Sequence, residues 1–515
     1  MNRFFALSHS LAAGALALSL VTVSHADEPK KKEEPKKEEA KKEEPKKDEP
    51  RKGTTKGTTT IAGRTINYEV TATTLPILKP DGKPSAKVFH TSYVEVGAGH
   101  DAAERPVTFC FNGGPGSSSV WLHLGAFGPK KVDLPDDGLS PPLPPGRLVA
   151  NPYSLLNVTD LVFIDPVMTG FSRPEEADKA GQFLGVREDI EAVGEFIRMW
   201  LTRNKRWRSP KFIAGESYGG IRGGGLANHL QQKHRIFLNG LIVVSGLFDY
   251  DVLSPGPVND LPYQVLLPAL TATAHYHKKL PSDLQADRTK AIAEARAFAF
   301  GDYSRALLLG ADLPKADRDA AVKKLARLTG LMATQVEEQK LRINGSYFRE
   351  MLLRDKNLVL GAYDARVTGD DGDRSENFPA IEPFMRVVGS VAAATMNAYL
   401  REELGYEEDL PYEVLSPQGA WNHEKNRYSS VNGDLSSAMA NNPHLKVLCT
   451  VGWSDLVTPP DNIIHSIRHL DLPDEARKRI EIAEYDSGHM MYTFKKDHEK
   501  LHKDITAFIQ KSLKP

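Results

Sequence analysis

Gly215-Glu216-Ser217-Tyr218-Gly219 constrains the fold of this chain more than any other stretch. It follows a short apolar run, Lys211 to Ala214, that reads as a buried strand, and it precedes a segment that reads as a helix. A G-x-S-x-G sequence in that setting is a strained turn: its glycines remove side chains that would collide with the adjoining strand and helix, and the serine hydroxyl is pushed into the open. The hydroxyl then sits at a helix N-terminus, where developing negative charge is favoured. Strand, turn and helix in that order predict α/β layering, and the flanking sequence agrees. Val107 to Phe111, Asp160 to Ile164, Leu238 to Ser245, His444 to Val451 and Ile480 to Ala483 are apolar runs of strand length, with helical spacing from Val186 to Asn204. Thr58 to Thr74 and Ala86 to Val96 alternate apolar and polar residues in the manner of antiparallel strands with one wet face.

Between residues 249 and 442 the strand rhythm stops, and stretches such as Ser282 to Phe300 and Lys315 to Leu328 carry helical spacing. Strand-like sequence resumes afterwards, so residues 249–442 are expected to be a helical cap inserted between two parts of one core, 58–248 and 443–515. At the N-terminus, Arg3, the apolar stretch Leu11 to Val23, and Ser24 and Ala26 flanking His25 predict a signal peptide over 1–26. An uncleaved anchor is the alternative, for which the apolar stretch is short. Residues 27–57, dominated by Lys, Glu and Pro, are expected to be a disordered linker, because they hold nothing able to build a core. The expected mature chain is exported, periplasmic or secreted, with no integral membrane segment. A net charge of -1 without a clustered basic face argues against a nucleic-acid partner. Cys110 and Cys449 lie in apolar runs and read as core thiols, with a disulfide as the other possibility. His423-Glu424 lacks the second His of H-E-x-x-H, so neither metal nor cofactor is expected.

A serine hydroxyl is a weak nucleophile at neutral pH and needs a base, itself oriented by an acid, which follow the serine in the order acid, His. Asp455, in Gly452-Trp453-Ser454-Asp455, and His489, in Ser487-Gly488-His489-Met490, each lie just past a strand candidate. Asp461 and Asp486 compete with Asp455. Directly after Val107 to Phe111 comes Asn112-Gly113-Gly114-Pro115-Gly116-Ser117-Ser118-Ser119, whose Gly114 N–H and the Tyr218 N–H are the expected oxyanion donors. No Gly-Lys-Ser/Thr follows, which argues against a phosphate loop.

Taken together, Asn112 to Ser119, Asp165-Pro166 with Thr169-Gly170-Phe171-Ser172, Gly215 to Gly220, Asp455 and Gly488-His489-Met490 resemble the serine carboxypeptidases in their family order. The resemblance implies an exported bacterial member with the α/β-hydrolase fold: a mostly parallel central sheet flanked by helices, with an inserted helical cap. It implies release of residues from peptide or protein C-termini through an acyl-enzyme, with Asn112 and Glu216 binding the substrate carboxylate. An esterase or acyltransferase using the same triad is the alternative. Three features depart from the family pattern. A second Glu, usual two residues before Gly128-Pro129, is Ala126; a Trp usual two residues before the Asn is Cys110; and His-Tyr-Val-Pro after the elbow glycines is Ile221-Arg222-Gly223-Gly224.

Overall fold

The computed structural model describes residues 51–97, 99, 101, 103–370, 382–416, 421–422 and 429–514. The expected signal peptide and residues 27–50 of the expected linker therefore lie outside the described residues. The linker had been expected to run to residue 57, but the sheet starts at Lys52. Strand β1 (Lys52–Ile61) pairs along its whole length with β2 (Arg64–Leu78). Threonine-rich sequence favours a pleated strand. Burial alternates along it, with Gly53, Thr59 and Ile61 inside and Lys52, Lys56 and Thr58 in solvent, so lysines are tolerated on the wet face. The single stretch expected from Thr58 to Thr74 is instead broken by Ala62-Gly63, whose φ values of 49° and 79° make the tight turn of a hairpin.

Strand β3 (Pro84–Glu95) continues the antiparallel part, followed in sequence by β4 (Val107–Phe111), β5 (Asp160–Ile164), β6 (Lys211–Glu216), β7 (Gly240–Val244), β8 (Lys446–Gly452) and β9 (Ile480–Tyr485). The order across the sheet is β1-β2-β3-β5-β4-β6-β7-β8-β9, with the short strand Arg173–Pro174 beside β3. From β5 onward every neighbouring pair is parallel. Strands β4 to β7 are buried at every residue, as a parallel sheet covered on both faces requires. Alternate residues serve opposite layers. Phe109, Ile213 and Val243 pack with helices α1 (Val186–Arg203) and α2 (Gly219–His234), whereas Cys110, Ala214 and Ile242 pack towards the C-terminal helix Lys495–Ser512. Both cysteines are free and buried in strands β4 and β8. This is the α/β-hydrolase fold.

The helices of residues 249–442 divide between two tasks. Leu261–Tyr276, Arg288–Ala299 and Lys315–Thr329 close around a separate apolar cluster that includes Leu267, Leu270, Phe298, Leu325 and Leu328. By contrast, Pro383–Ala398 packs into one core layer and Asn432–Asn441 into the other, where the latter lies against α2. An amphipathic pattern states that a helix has an apolar face but not which core receives it. Among the described residues no helix is long and apolar enough to cross a membrane.

Because β4, β6, β8 and β9 run parallel, their C-terminal ends share one edge of the sheet. The interchange of β4 and β5 seats β4 directly beside β6, with Phe111 opposite Gly215. Asn112, Gly114, Glu216, Ser217, Tyr218, Asp455 and His489 all lie at or just past those C-terminal ends, where ligands bind in open α/β sheets.

Candidate active site

Ser217 follows β6 and precedes α2 with φ of 61°, the left-handed conformation expected of a nucleophile elbow and costly for a residue with a side chain. The surroundings hold it there. Its N–H donates to Val244 O at 3.0 Å and its carbonyl accepts from Gly220 N at 2.8 Å. A Cβ on Gly215 would stand 2.2 Å from Gly219 O, so the turn closes only with glycine at that position. Gly113 lies hard against the elbow: a Cβ there would come within 2.5 Å of Tyr218 N and 2.6 Å of Glu216 O. Among the described residues neither the Gly114 nor the Tyr218 N–H donates to a protein acceptor, which leaves both available to an incoming oxygen.

His489 and Asp455 come together. His489 Nδ1 lies 2.7 Å from Asp455 Oδ2, with both side chains buried. Asp455 Oδ1 accepts from Val457 N at 2.8 Å and Thr458 N at 2.9 Å. The rivals are engaged elsewhere: Asp461 is clamped by Arg296 at 2.6 and 3.0 Å, and Asp486 by Arg288 at 2.7 Å, both arginines being supplied by the inserted helices. A Cβ on Gly452 would meet Gly488 O at 2.3 Å, and Ser454 N donates to Ser487 O at 3.1 Å, so the acid and histidine loops abut through their main chains. Burial opposes the imidazolium, but the charge and hydrogen bond of Asp455, with Glu216 behind, outweigh it and raise the His489 pKa above its usual value. No hydrogen bond joins Ser217 to His489 among the described residues.

Three further residues at this site escaped the sequence reading. Thr458 Oγ1 lies 2.7 Å from Asp455 Oδ2, 3.0 Å from His489 Nδ1 and 2.7 Å from Ser245 O, next in sequence to the Val244 that anchors the elbow. One hydroxyl thus links Asp455, His489 and the strand behind Ser217; the only sequence signal was Thr three positions after Asp. Tyr363, from the inserted region, accepts the His489 N–H on its carbonyl at 2.6 Å and sets its ring edge-on to the imidazole with centroids 5.3 Å apart. Tyr492, just past His489, donates its hydroxyl to Glu216 Oε2 at 2.8 Å.

Asn112 and Glu216 also meet. Asn112 Nδ2 donates to Glu216 Oε1 at 2.9 Å, while Asn112 Oδ1 accepts from Leu122 N at 3.1 Å. Burial pushes the Glu216 carboxyl up to about 7, against opposing pulls from His489, Tyr492 and Asn112. The carboxyl is therefore protonated over the acidic range even though no second Glu stands at position 126. The buried Ala126 offers only its carbonyl, which accepts from Asn151 Nδ2 at 2.8 Å and His498 Nε2 at 2.9 Å. At Cys110, burial in β4 pushes the thiol pKa up. Among the described residues no group of three or more His, Cys, Asp or Glu is placed to hold a metal ion; His423 and Glu424 lie outside them.

Residues 83–329 match the model of the serine carboxypeptidase family. The match covers the glycine loop and the elbow and ends before Asp455 and His489. The chain is 34% identical over 121 residues to serine carboxypeptidase-like 20 of Arabidopsis thaliana, covering 23% of each chain. It is 31% identical over 169 residues to the lysosomal protective protein of Mus musculus, covering 32% of each. The chain thus spans 23% and 32% of the length of these two curated relatives. A solved proline iminopeptidase of Mycobacterium smegmatis superposes with a TM-score of 0.38 and 14% identity, over 85% of this chain and 98% of that one.

Proposed function

We propose that this protein is a metal-independent serine carboxypeptidase that removes residues from peptide or protein C-termini. The observation that carries the reading is a buried carboxyl, Glu216, adjacent in sequence to the elbow serine and hydrogen-bonded by Asn112 and Tyr492. A simple esterase has no use for such a group. A protonated Glu216 and the Asn112 amide both offer N–H or O–H to a free terminal carboxylate. With the terminus held there, the Ser217 hydroxyl attacks the last peptide carbonyl while His489 Nε2 takes its proton; the contact between them forms when substrate seats, since catalytic hydrogen bonds are often long beforehand. Gly114 and Tyr218 N–H groups receive the oxyanion. His489 then protonates the departing amine, which leaves as the C-terminal amino acid, and a water activated by the same ring releases the acyl group from Ser217. Asp455 holds the ring tautomer and stabilises the imidazolium. The N-terminal Arg3 and apolar Leu11 to Val23 support export to a periplasmic or extracellular destination.

A blocked dipeptide, its C-terminal amide and a simple ester test the specificity. A hydrogen bond to a charged group contributes about 1.5–3 kcal/mol, so the amide is expected to lose roughly 10²-fold in kcat/KM. Equal turnover of the dipeptide and its amide would remove the carboxylate site, and turnover of the ester alone would make the protein an esterase.

The pH dependence follows from one buried pair. His489 must be neutral to accept the serine proton, which sets the acid limb; Glu216 must be protonated to receive a carboxylate, which sets the alkaline limb near its value of about 7. Each charge raises or lowers the other's affinity for protons, so the limbs belong to the pair. The expected profile for the dipeptide is a bell with KM rising as pH passes 7, and Glu216→Gln, which cannot ionise, abolishes that rise. A KM that climbs identically in both proteins would remove Glu216 from carboxylate binding.

A further inference from the structure

Arg222 stands where the family pattern has an uncharged residue, on the first turns of α2, and it is fully buried. Its guanidinium reaches in two directions. Nη1 donates to the main-chain carbonyl of Asn112 at 2.6 Å, and Nε donates to Asp189 Oδ2, on α1, at 2.8 Å. The same carboxylate oxygen accepts the Tyr218 hydroxyl at 2.9 Å. Between these contacts the cation lies over the rings of Phe111 at 4.9 Å and Tyr218 at 5.0 Å. One ion pair therefore grips the residue that opens the glycine loop and the residue that follows the nucleophile.

The two expected oxyanion donors come from separate strands, so their spacing is not set by either loop alone. Gly114 is tied to β4 through Asn112, and Tyr218 to β6 through Ser217. Donors must be held within a few tenths of an ångström of where the oxyanion forms. Helices α1 and α2 pack closely beside this pair: a Cβ on Gly225 would stand 2.3 Å from Ile190 Cδ1 of α1. Burying this pair is weak as a source of stability. Taking both charges out of water opposes folding, and Arg222 Nη2 finds no partner among the described residues.

We propose that Arg222 and Asp189 are positioning residues that set the separation of the Gly114 and Tyr218 donors and so act on the rate of acyl transfer. The inference rests on the acyl-transfer reading of the site. Its test is the neutral pair R222M/D189N, which removes both charges and leaves neither buried alone, compared with the parent for thermal midpoint, kcat and KM. The expected result is a midpoint close to the parent with kcat lower by about 10²-fold, the loss typical of an oxyanion donor out of place. The ester should lose kcat as the dipeptide does, because it forms the oxyanion without using the carboxylate site. R222K, which keeps a charge against Asp189 but lacks the planar fork for Asn112, serves if the neutral pair fails to fold, and is expected to lower kcat for the ester, which does not use the carboxylate site. Parental kcat in either folded variant, or a loss confined to KM for the dipeptide, overturns the proposal. Ser217→Ala assayed alongside separates the two levels: hydrolysis surviving it sinks the serine mechanism, whereas serine-dependent hydrolysis with unchanged kcat in R222M/D189N sinks this inference alone.

Discussion

Ser217→Ala is expected to lower kcat by roughly 10⁶-fold while KM stays within a few-fold of the parent. That loss corresponds to about 8 kcal/mol of transition-state stabilisation. The variant isolates the chemistry because, among the described residues, the hydroxyl makes no hydrogen bond. The bonds that keep the elbow in place, from Ser217 N to Val244 O and from Gly220 N to Ser217 O, are main-chain bonds that alanine preserves. Alanine also keeps the Cβ, so the strain at φ of 61° is unchanged and the thermal midpoint should not move by more than a degree or two. The carboxylate site and both oxyanion donors survive, which is why KM is held and a residual rate above the uncatalysed one remains. A serine-directed phosphonate should label the parent and leave this variant unmodified. Turnover within 100-fold of the parent, or labelling of the variant, would place the nucleophile elsewhere.

The parts of this architecture legible beforehand are those whose physics is local. Strands β4 to β7 are buried on both faces, so they appear as unbroken apolar runs, and the elbow needs its glycines at fixed offsets whatever surrounds it. The acid was less legible because three aspartates stand near the right strand ends. What separates Asp455 from Asp461 and Asp486 is that Arg296 and Arg288, more than 150 positions earlier in the chain, neutralise the other two. Nothing in the local sequence around an aspartate reports a cation delivered from an inserted helix. Tyr492 and Thr458 were missed for a related reason: a hydroxyl at a loop position becomes informative only once the carboxylate it serves has a place. The start of β1 was misjudged because lysines in an alternating strand and lysines in a spacer look alike until a partner strand is known. In the inserted region, helical spacing was readable while the division between a separate apolar cluster and the two core layers was not, since that depends on long-range packing.

Asp455→Asn is expected to reduce kcat by about 10⁴-fold with little change in the fold, and the reason is the direction in which the new amide must point. Asp455 Oδ1 accepts two main-chain N–H groups, from Val457 and Thr458, so in the variant that place must be filled by the amide oxygen. Turning the amide round would set its NH₂ against two donors and leave them unsatisfied in a buried site, a cost of about 1–3 kcal/mol for each group. The NH₂ therefore takes the place of Oδ2 and faces His489 Nδ1 at the position now 2.7 Å away. Facing a donor, Nδ1 has to become an acceptor, and the neutral ring carries its proton on Nε2. That nitrogen can then no longer take the proton of Ser217. Thr458 is not left stranded, because its hydroxyl still donates to Ser245 O and can accept from the new amide. The same change lowers the His489 pKa: burial opposes the imidazolium, and the carboxylate that outweighed it is gone, leaving only the weaker pull of Glu216. Imidazole resonances followed against pH should accordingly move to a lower midpoint in the variant, and kcat should fall although Ser217, both oxyanion donors and the carboxylate site are untouched. A variant that kept kcat within tenfold of the parent, with His489 titrating as before, would mean that Asp455 is a loop cap and that another group orients the base.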